Sequence, residues 1–104
     1  MSFEVRFSPE AEEDLLRLFD FLLERASHVA DLALAQQAVD AIQAAIHGQL
    51  ARTPYSFRKA AMSSTRRELI IPFGATGYVA LYEIAGPSSV QVLAVRHQLE
   101  DDYH

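Results

Sequence analysis

Four side chains in the C-terminal third of the chain have the types that phosphate chemistry uses: Arg67, Arg96, His97 and Tyr103. Cleaving RNA without a metal needs a base to activate a ribose 2′-hydroxyl, cations to hold the added negative charge on phosphorus, and an acid for the leaving oxygen. In that scheme Arg67 and Arg96 supply charge while His97 or Tyr103 moves the proton. Arg58, Lys59 and Arg66 form a second group, suited to gripping a phosphate or an acidic partner. The basic complement is thin, because Lys59 is the only lysine, and Glu100, Asp101 and Asp102 crowd Tyr103 with charge that repels phosphate. Each candidate also has a structural role open to it: Arg67 capping a strand edge or pairing with a glutamate, His97 half-buried at a strand end, Tyr78 and Tyr82 as core aromatics with their hydroxyls at the rim.

Other chemistries find little support. His28, His47, His97 and His104 show no ligand spacing, so no metal is expected. The acidic run Glu10, Glu12, Glu13 and Asp14 falls at a helix start, where the helix dipole accounts for it. No glycine loop is built to cradle a phosphate, since Gly74 to Gly77 reads as a hairpin turn, and no cofactor is expected.

The net charge of −5 conceals segregation: residues 1–50 carry −6, residues 51–67 carry +5 with no acid, and residues 68–104 carry −4. Overall acidity argues against indiscriminate nucleic-acid binding, which depends on neutralising many phosphates, but a local basic patch can still act. At 104 residues the chain is expected to be one domain with a single core. The absence of cysteine excludes a disulfide framework and thiolate chemistry. With no long apolar span and no secretion-signal layout at the N-terminus, a cytoplasmic protein without a membrane partner is the expectation.

The elements that must position these residues are marked locally. Phe3, Val5 and Phe7 alternate with polar residues, as in a strand with one wet face. Ser8 then offers an N-cap oxygen and Pro9 occupies the first helical position. The stripe Ala11, Leu15, Leu18, Leu22, widened by Leu16, Phe19 and Leu23, predicts a helix facing both a sheet and a second helix. A turn at 26–29 leads to an alanine-rich helix over about 30–51, with the stripe Ala35, Val39, Ile42, Ile46, Leu50 joined by Ala38 and Ala45, ended by Pro54. Residues 52–65 read as a loop. Three strands follow, from about 66 to 73, 78 to 84 and 90 to 97, joined by short turns as an antiparallel meander whose middle run is apolar on both faces and therefore central. The prediction is an α+β domain, β-α-α-β-β-β, with a helix hairpin packed on one sheet face and the other face partly open.

That order, with several local patterns, resembles the RelE/ParE superfamily of toxins from type II toxin-antitoxin systems, often labelled plasmid stabilisation proteins. Phe7-Ser8-Pro9-Glu10-Ala11 with Asp14-Leu15 resembles the family's entry to its first helix, Leu50 with Pro54 its helix end, and Arg67 to Gly74 its first meander strand. Gly77-Tyr78-Val79 through Tyr82, then Val92 to Gln98 and the terminal Tyr103, extend the likeness over nearly the whole chain.

The resemblance implies a growth inhibitor neutralised by a cognate antitoxin, whose amphipathic tail orders as it wraps the toxin, and assembly as a homodimer or a toxin-antitoxin hetero-oligomer. It leaves two targets. The ParE-like branch inhibits DNA gyrase through a binding surface, which the helix entry and hairpin length favour here. The RelE-like branch is a ribosome-dependent mRNA endonuclease using arginine, lysine and a C-terminal tyrosine, the roles that would fall to Arg67, Arg96, His97 and Tyr103. A third alternative is a non-toxic antitoxin-binding module, for which induction without antitoxin would be harmless.

Overall fold

A computed structural model describes residues 2–60, 63–74 and 76–100. Chain order is β1 (Glu4–Phe7), α1 (Pro9–Glu24), α2 (Val29–Leu50), a 3-10 turn (Pro54–Ser56), β2 (Arg58–Lys59), β3 (Arg66–Phe73), β4 (Thr76–Gly86) and β5 (Ser89–His97). The α+β reading therefore holds, with its helix hairpin and its meander. The sheet is larger than that meander and is mixed: its order is β1-β5-β4-β3-β2, and β1 runs parallel to β5. A parallel pairing requires a long crossover, and the helix hairpin is that crossover.

Local signals start and stop these elements as physical chemistry demands. Ser8 Oγ accepts from the Ala11 N–H at 3.1 Å, and Pro9 opens α1 with Glu10 and Glu12 in its first turn. The β3–β4 hairpin has a two-residue connection, in which Gly74 at φ 59° takes the left-handed conformation that primed turns need. The segment expected to be a plain loop instead contains the 3-10 turn and β2, whose two residues pair with Arg67 and Glu68. Two residues are too few to leave a periodic pattern.

Directly opposed residues share a face of the sheet. Leu69, Ile71, Tyr78, Ala80, Tyr82, Val90, Val92 and Val95 face the helices, where they pack with Ala11, Leu15, Leu18, Ile42, Ile46 and Leu50; Phe3, Val5 and Phe7 flank them. The buried part of α2 matches its expected stripe, whereas Leu16 is 65% exposed, because it points outward between Glu13 and Asp20. The far face is less open than expected: Val79, Leu81 and Ala94 are all buried on it.

Beyond the end of β1, side chains of α1 take over the edge of β5. The Ser8 hydroxyl donates to Leu93 O at 3.2 Å, Val95 N–H donates to Asp14 Oδ2 at 2.9 Å, and Arg17 Nη2 donates to Val95 O at 3.5 Å. Leu93 is the extra residue of a bulge, since Leu81 pairs with Ala94 but Tyr82 with Val92. Asp14 is thus a buried acceptor for a strand N–H, a job the helix dipole alone would not give it.

Candidate functional site

The sequence-derived basic residues are distributed over both faces and both ends of the sheet. Arg67 is opposite Tyr82 and so faces the helices, whereas Arg96 is opposite Val79 and lies on the far face. His97, opposite Tyr78, returns to the helix side, four residues along β4 from the Arg67 position, or about 13 Å at the usual rise of a strand. Arg66 is exposed opposite Glu83 on the far face; Lys59 is exposed opposite Arg67. Tyr103 lies outside the described residues.

Four of the candidates, Arg67, Arg58, Arg96 and His97, have local work. Arg67 Nη1 donates to the Tyr55 and Phe57 carbonyls at 3.2 and 2.8 Å, fixing the 3-10 turn. Arg58 holds Glu68 through Nε at 3.0 Å and Nη2 at 2.9 Å, across the β2–β3 pair. Arg96 Nη1 donates to the carbonyls of His97, Gln98 and Glu100, pulling in the turn after β5. The His97 ring meets Tyr78 edge-on at 5.4 Å. Leu99 N–H donates to its Nδ1 at 3.1 Å, which in the neutral ring places the proton on Nε2, directed at Thr76 Oγ1 2.9 Å away. Among these, the structure brings Arg67 and Lys59 together as one pair and Arg96 and His97 as chain neighbours on opposite faces. Among the described residues no group of three or more His, Cys, Asp or Glu is placed to hold a metal ion.

Tyr82 anchors the Arg67 corner from within. Its hydroxyl donates to the Pro54 carbonyl, and its burial pushes the phenol up to about 12, against the opposing charge of Arg67. Burial also raises the Tyr78 phenol.

The other end of the molecule is apolar and open. From Leu22 to Leu34 no residue is buried, so the tip of the helix hairpin stands off the sheet. Beneath it runs a groove of about 770 Å³, floored by Leu18, Ala35, Ala38 and Tyr78 and rimmed by Phe21, Leu34 and Leu99. Phe21 is 46%, Leu34 53% and Leu99 82% exposed, a combination that carries free energy only when another surface covers it. Arg17 closes one side by meeting Glu100 at 3.1 Å and Asp14 at 3.8 Å. Asp31 accepts from the N–H groups of Ser27 and His28 and so fixes the tip; the Ser27 bond is the larger cause of its lowered pKa. Phe21, Leu34 and Leu99 were not singled out in the sequence. The signal that could have found them is positional: Leu32 and Leu34 are large apolar residues off the Ala35–Leu50 stripe, and both are exposed.

Among the described residues no helix is long and apolar enough to cross a membrane.

Comparison with known proteins bears on this geometry. Residues 5–102 match the family model described as the ParE toxin of the type II toxin-antitoxin system parDE. The chain is 40% identical over 96 residues to Toxin RelE3 of Caulobacter vibrioides, covering 92% of this chain and 95% of that one. It is 36% identical over 102 residues to Toxin RelE1 of the same organism, covering 96% and 98%. Two solved structures share the fold. One is a chain of the chromosomal ParDE system of P. aeruginosa, with TM-score 0.72, 15% identity and coverage of 91% and 95%. The other is a chain of the RelBE2 toxin-antitoxin complex of Mycobacterium tuberculosis, with TM-score 0.65, 21% identity and coverage of 96% and 95%. With nearly its whole length matched, the chain belongs to the ParE/RelE family of type II toxin-antitoxin toxins.

Proposed function

We propose that this toxin arrests growth by binding DNA gyrase, without catalysis of its own, and is neutralised in the cytoplasm by a cognate antitoxin. The observation carrying the target is the dispersal of the basic residues. A nuclease needs cations and a proton-transfer group converging on one phosphate. Here Arg67 and Arg96 occupy opposite faces, and both ring nitrogens of His97 are engaged in hydrogen bonds. A gyrase inhibitor needs only a shaped surface, which an acidic protein can supply. The reading is tested by adding purified toxin to gyrase, plasmid and ATP: accumulation of cleaved DNA–gyrase complexes supports it, and unaltered supercoiling sinks it.

The antitoxin is assigned to the groove under the hairpin tip. An amphipathic segment would place its apolar residues against Phe21, Leu34 and Leu99, in the manner of a helix seated in a groove. Ordering of such a tail opposes binding, so a few well-buried side chains must carry the affinity. The resulting assembly is a toxin-antitoxin hetero-oligomer.

A second reading, a ribosome-dependent mRNA endonuclease, is supported by the curated relatives, which are named RelE toxins. Under it Arg67, Arg96, His97 and Tyr103 act on the phosphate while Arg58, Lys59 and Arg66 position the RNA. Separate alanine substitutions at the first four would then abolish messenger cleavage at one or two of them.

A further inference from the structure

Leu99 is 82% exposed on the groove rim, yet the turn that carries it is tied at every residue from His97 to Glu100. Gln98 N–H donates to Gly77 O at 2.9 Å, and Glu100 N–H to His97 O at 3.0 Å. Glu100 Oε1 accepts from His97 N–H at 3.2 Å and from Arg17 Nη1 at 3.1 Å, which joins the turn to α1. Arg96 Nη1 gathers the carbonyls of His97, Gln98 and Glu100. The turn also lies close on β4: a Cβ at Gly77 would come within 2.7 Å of Ile71 O and 2.9 Å of Gln98 Oε1.

The remaining tie is to Leu99 itself. Its N–H donates to His97 Nδ1 at 3.1 Å, while Nε2 meets Thr76 Oγ1 at 2.9 Å and the ring lies edge-on against Tyr78. A ring fixed in this way offers Nδ1 as an acceptor for one backbone N–H. Ending β5 does not require a leucine here, because none of these bonds uses the side chain of residue 99, and a polar residue would leave them unchanged. An isobutyl group held in water contributes nothing to the fold, but it does contribute once a partner's apolar surface covers it. Phe21 and Leu34, 46% and 53% exposed, stand on the same rim. An anchor fixed before binding also avoids the ordering cost that a mobile one incurs.

We propose that Leu99 is an apolar anchor for the antitoxin segment seated in the groove, and that His97 is the residue that positions it, through Nδ1. This rests on the groove being the antitoxin's seat, so the test carries variants for each. Calorimetric titration of the full-length toxin with its cognate antitoxin reads the affinity. Leu99→Ala should weaken binding by on the order of tenfold. His97→Gln supplies a polar group near the Nε2 position but none at Nδ1, and should weaken binding about fivefold. His97→Asn, whose Oδ1 takes the place of Nδ1, should keep the affinity within about twofold. In the Leu99→Ala background His97→Gln should have no further effect, since its influence passes through Leu99. Hydrogen exchange gives a readout free of the partner: the Leu99 amide should exchange faster in His97→Gln and not in His97→Asn. Unchanged affinity in Leu99→Ala, equal loss in the Asn and Gln variants, or an undiminished His97→Gln effect in the Leu99→Ala background would each overturn the proposal. If Phe21→Glu with Leu34→Glu weakens binding and Leu99→Ala does not, the groove reading stands and this one falls; if neither weakens it, both fall.

Discussion

The two ends of this toxin are built on opposite principles. At the Arg67 corner, polar groups from a strand and the core close on backbone carbonyls and hold a short turn rigid. At the hairpin tip, Phe21, Leu34 and Leu99 are left uncovered around a groove. The contrast teaches that a conspicuous charge pattern and an exposed apolar surface need not coincide. The arginines that most resemble catalytic groups are largely occupied in holding the chain, and the surface that lacks a partner is apolar. Stability should therefore be lost by changes at the first end, and partner affinity by changes at the second.

The sharpest test of that division is Phe21→Glu combined with Leu34→Glu. Charges at the groove rim should weaken antitoxin binding by about 3 kcal/mol or more, roughly a hundredfold, with little change in melting temperature. Calorimetric titration of the cognate antitoxin into the variant reads the loss, and unchanged affinity would place the antitoxin elsewhere. Asp14→Ala lies between the two ends and probes the fold itself. It strands the buried Val95 N–H and should cost about 1–3 kcal/mol, read as a fall in midpoint in urea denaturation.

At the rigid corner, Tyr82→Phe removes one hydrogen bond to Pro54 and should cost about 1 kcal/mol while leaving antitoxin affinity intact. Its pH signature is distinct. A phenol raised to about 12 in the folded state stabilises the fold fully below the ordinary value of 10.0, and that contribution is lost as pH climbs between the two. The Phe variant should lack this alkaline limb in denaturation followed from neutral pH upward. The smallest effect belongs to Asp31, half-buried at the tip. Its lowered pKa means that its contribution is present above 3.8 and fades as pH falls further, so Asp31→Asn should flatten a shallow acid limb. A steeper limb in the variant would contradict the cap assigned to Asp31.

What the sequence revealed, and what it hid, follows the reach of each interaction. Ser8-Pro9 and the alanine-rich stripe of α2 are local, and each is where its chemistry placed it. The parallel pairing of Val5 with Val90 joins residues far apart in the chain, and no short pattern encodes it. Asp14 looks like one acid among four at a helix start, because the edge N–H of Val95 that it satisfies exists only when β5 is in place. The candidate residues stand out by type, and alternation sends Arg67 and Arg96 to opposite faces, an outcome fixed by strand register. The groove leaves no mark in the sequence because it arises from two helices projecting past a sheet, a matter of relative length more than of any motif.

The central claim, a toxin that acts on gyrase by binding, is tested most directly by pulse labelling after tightly controlled induction without antitoxin. Thymidine and methionine incorporation would be followed minute by minute. A fall in thymidine incorporation before methionine is the result predicted here. A fall in methionine first would contradict it, and would make the toxin a translation-blocking nuclease with Arg67, Arg96, His97 and Tyr103 as the residues to substitute next.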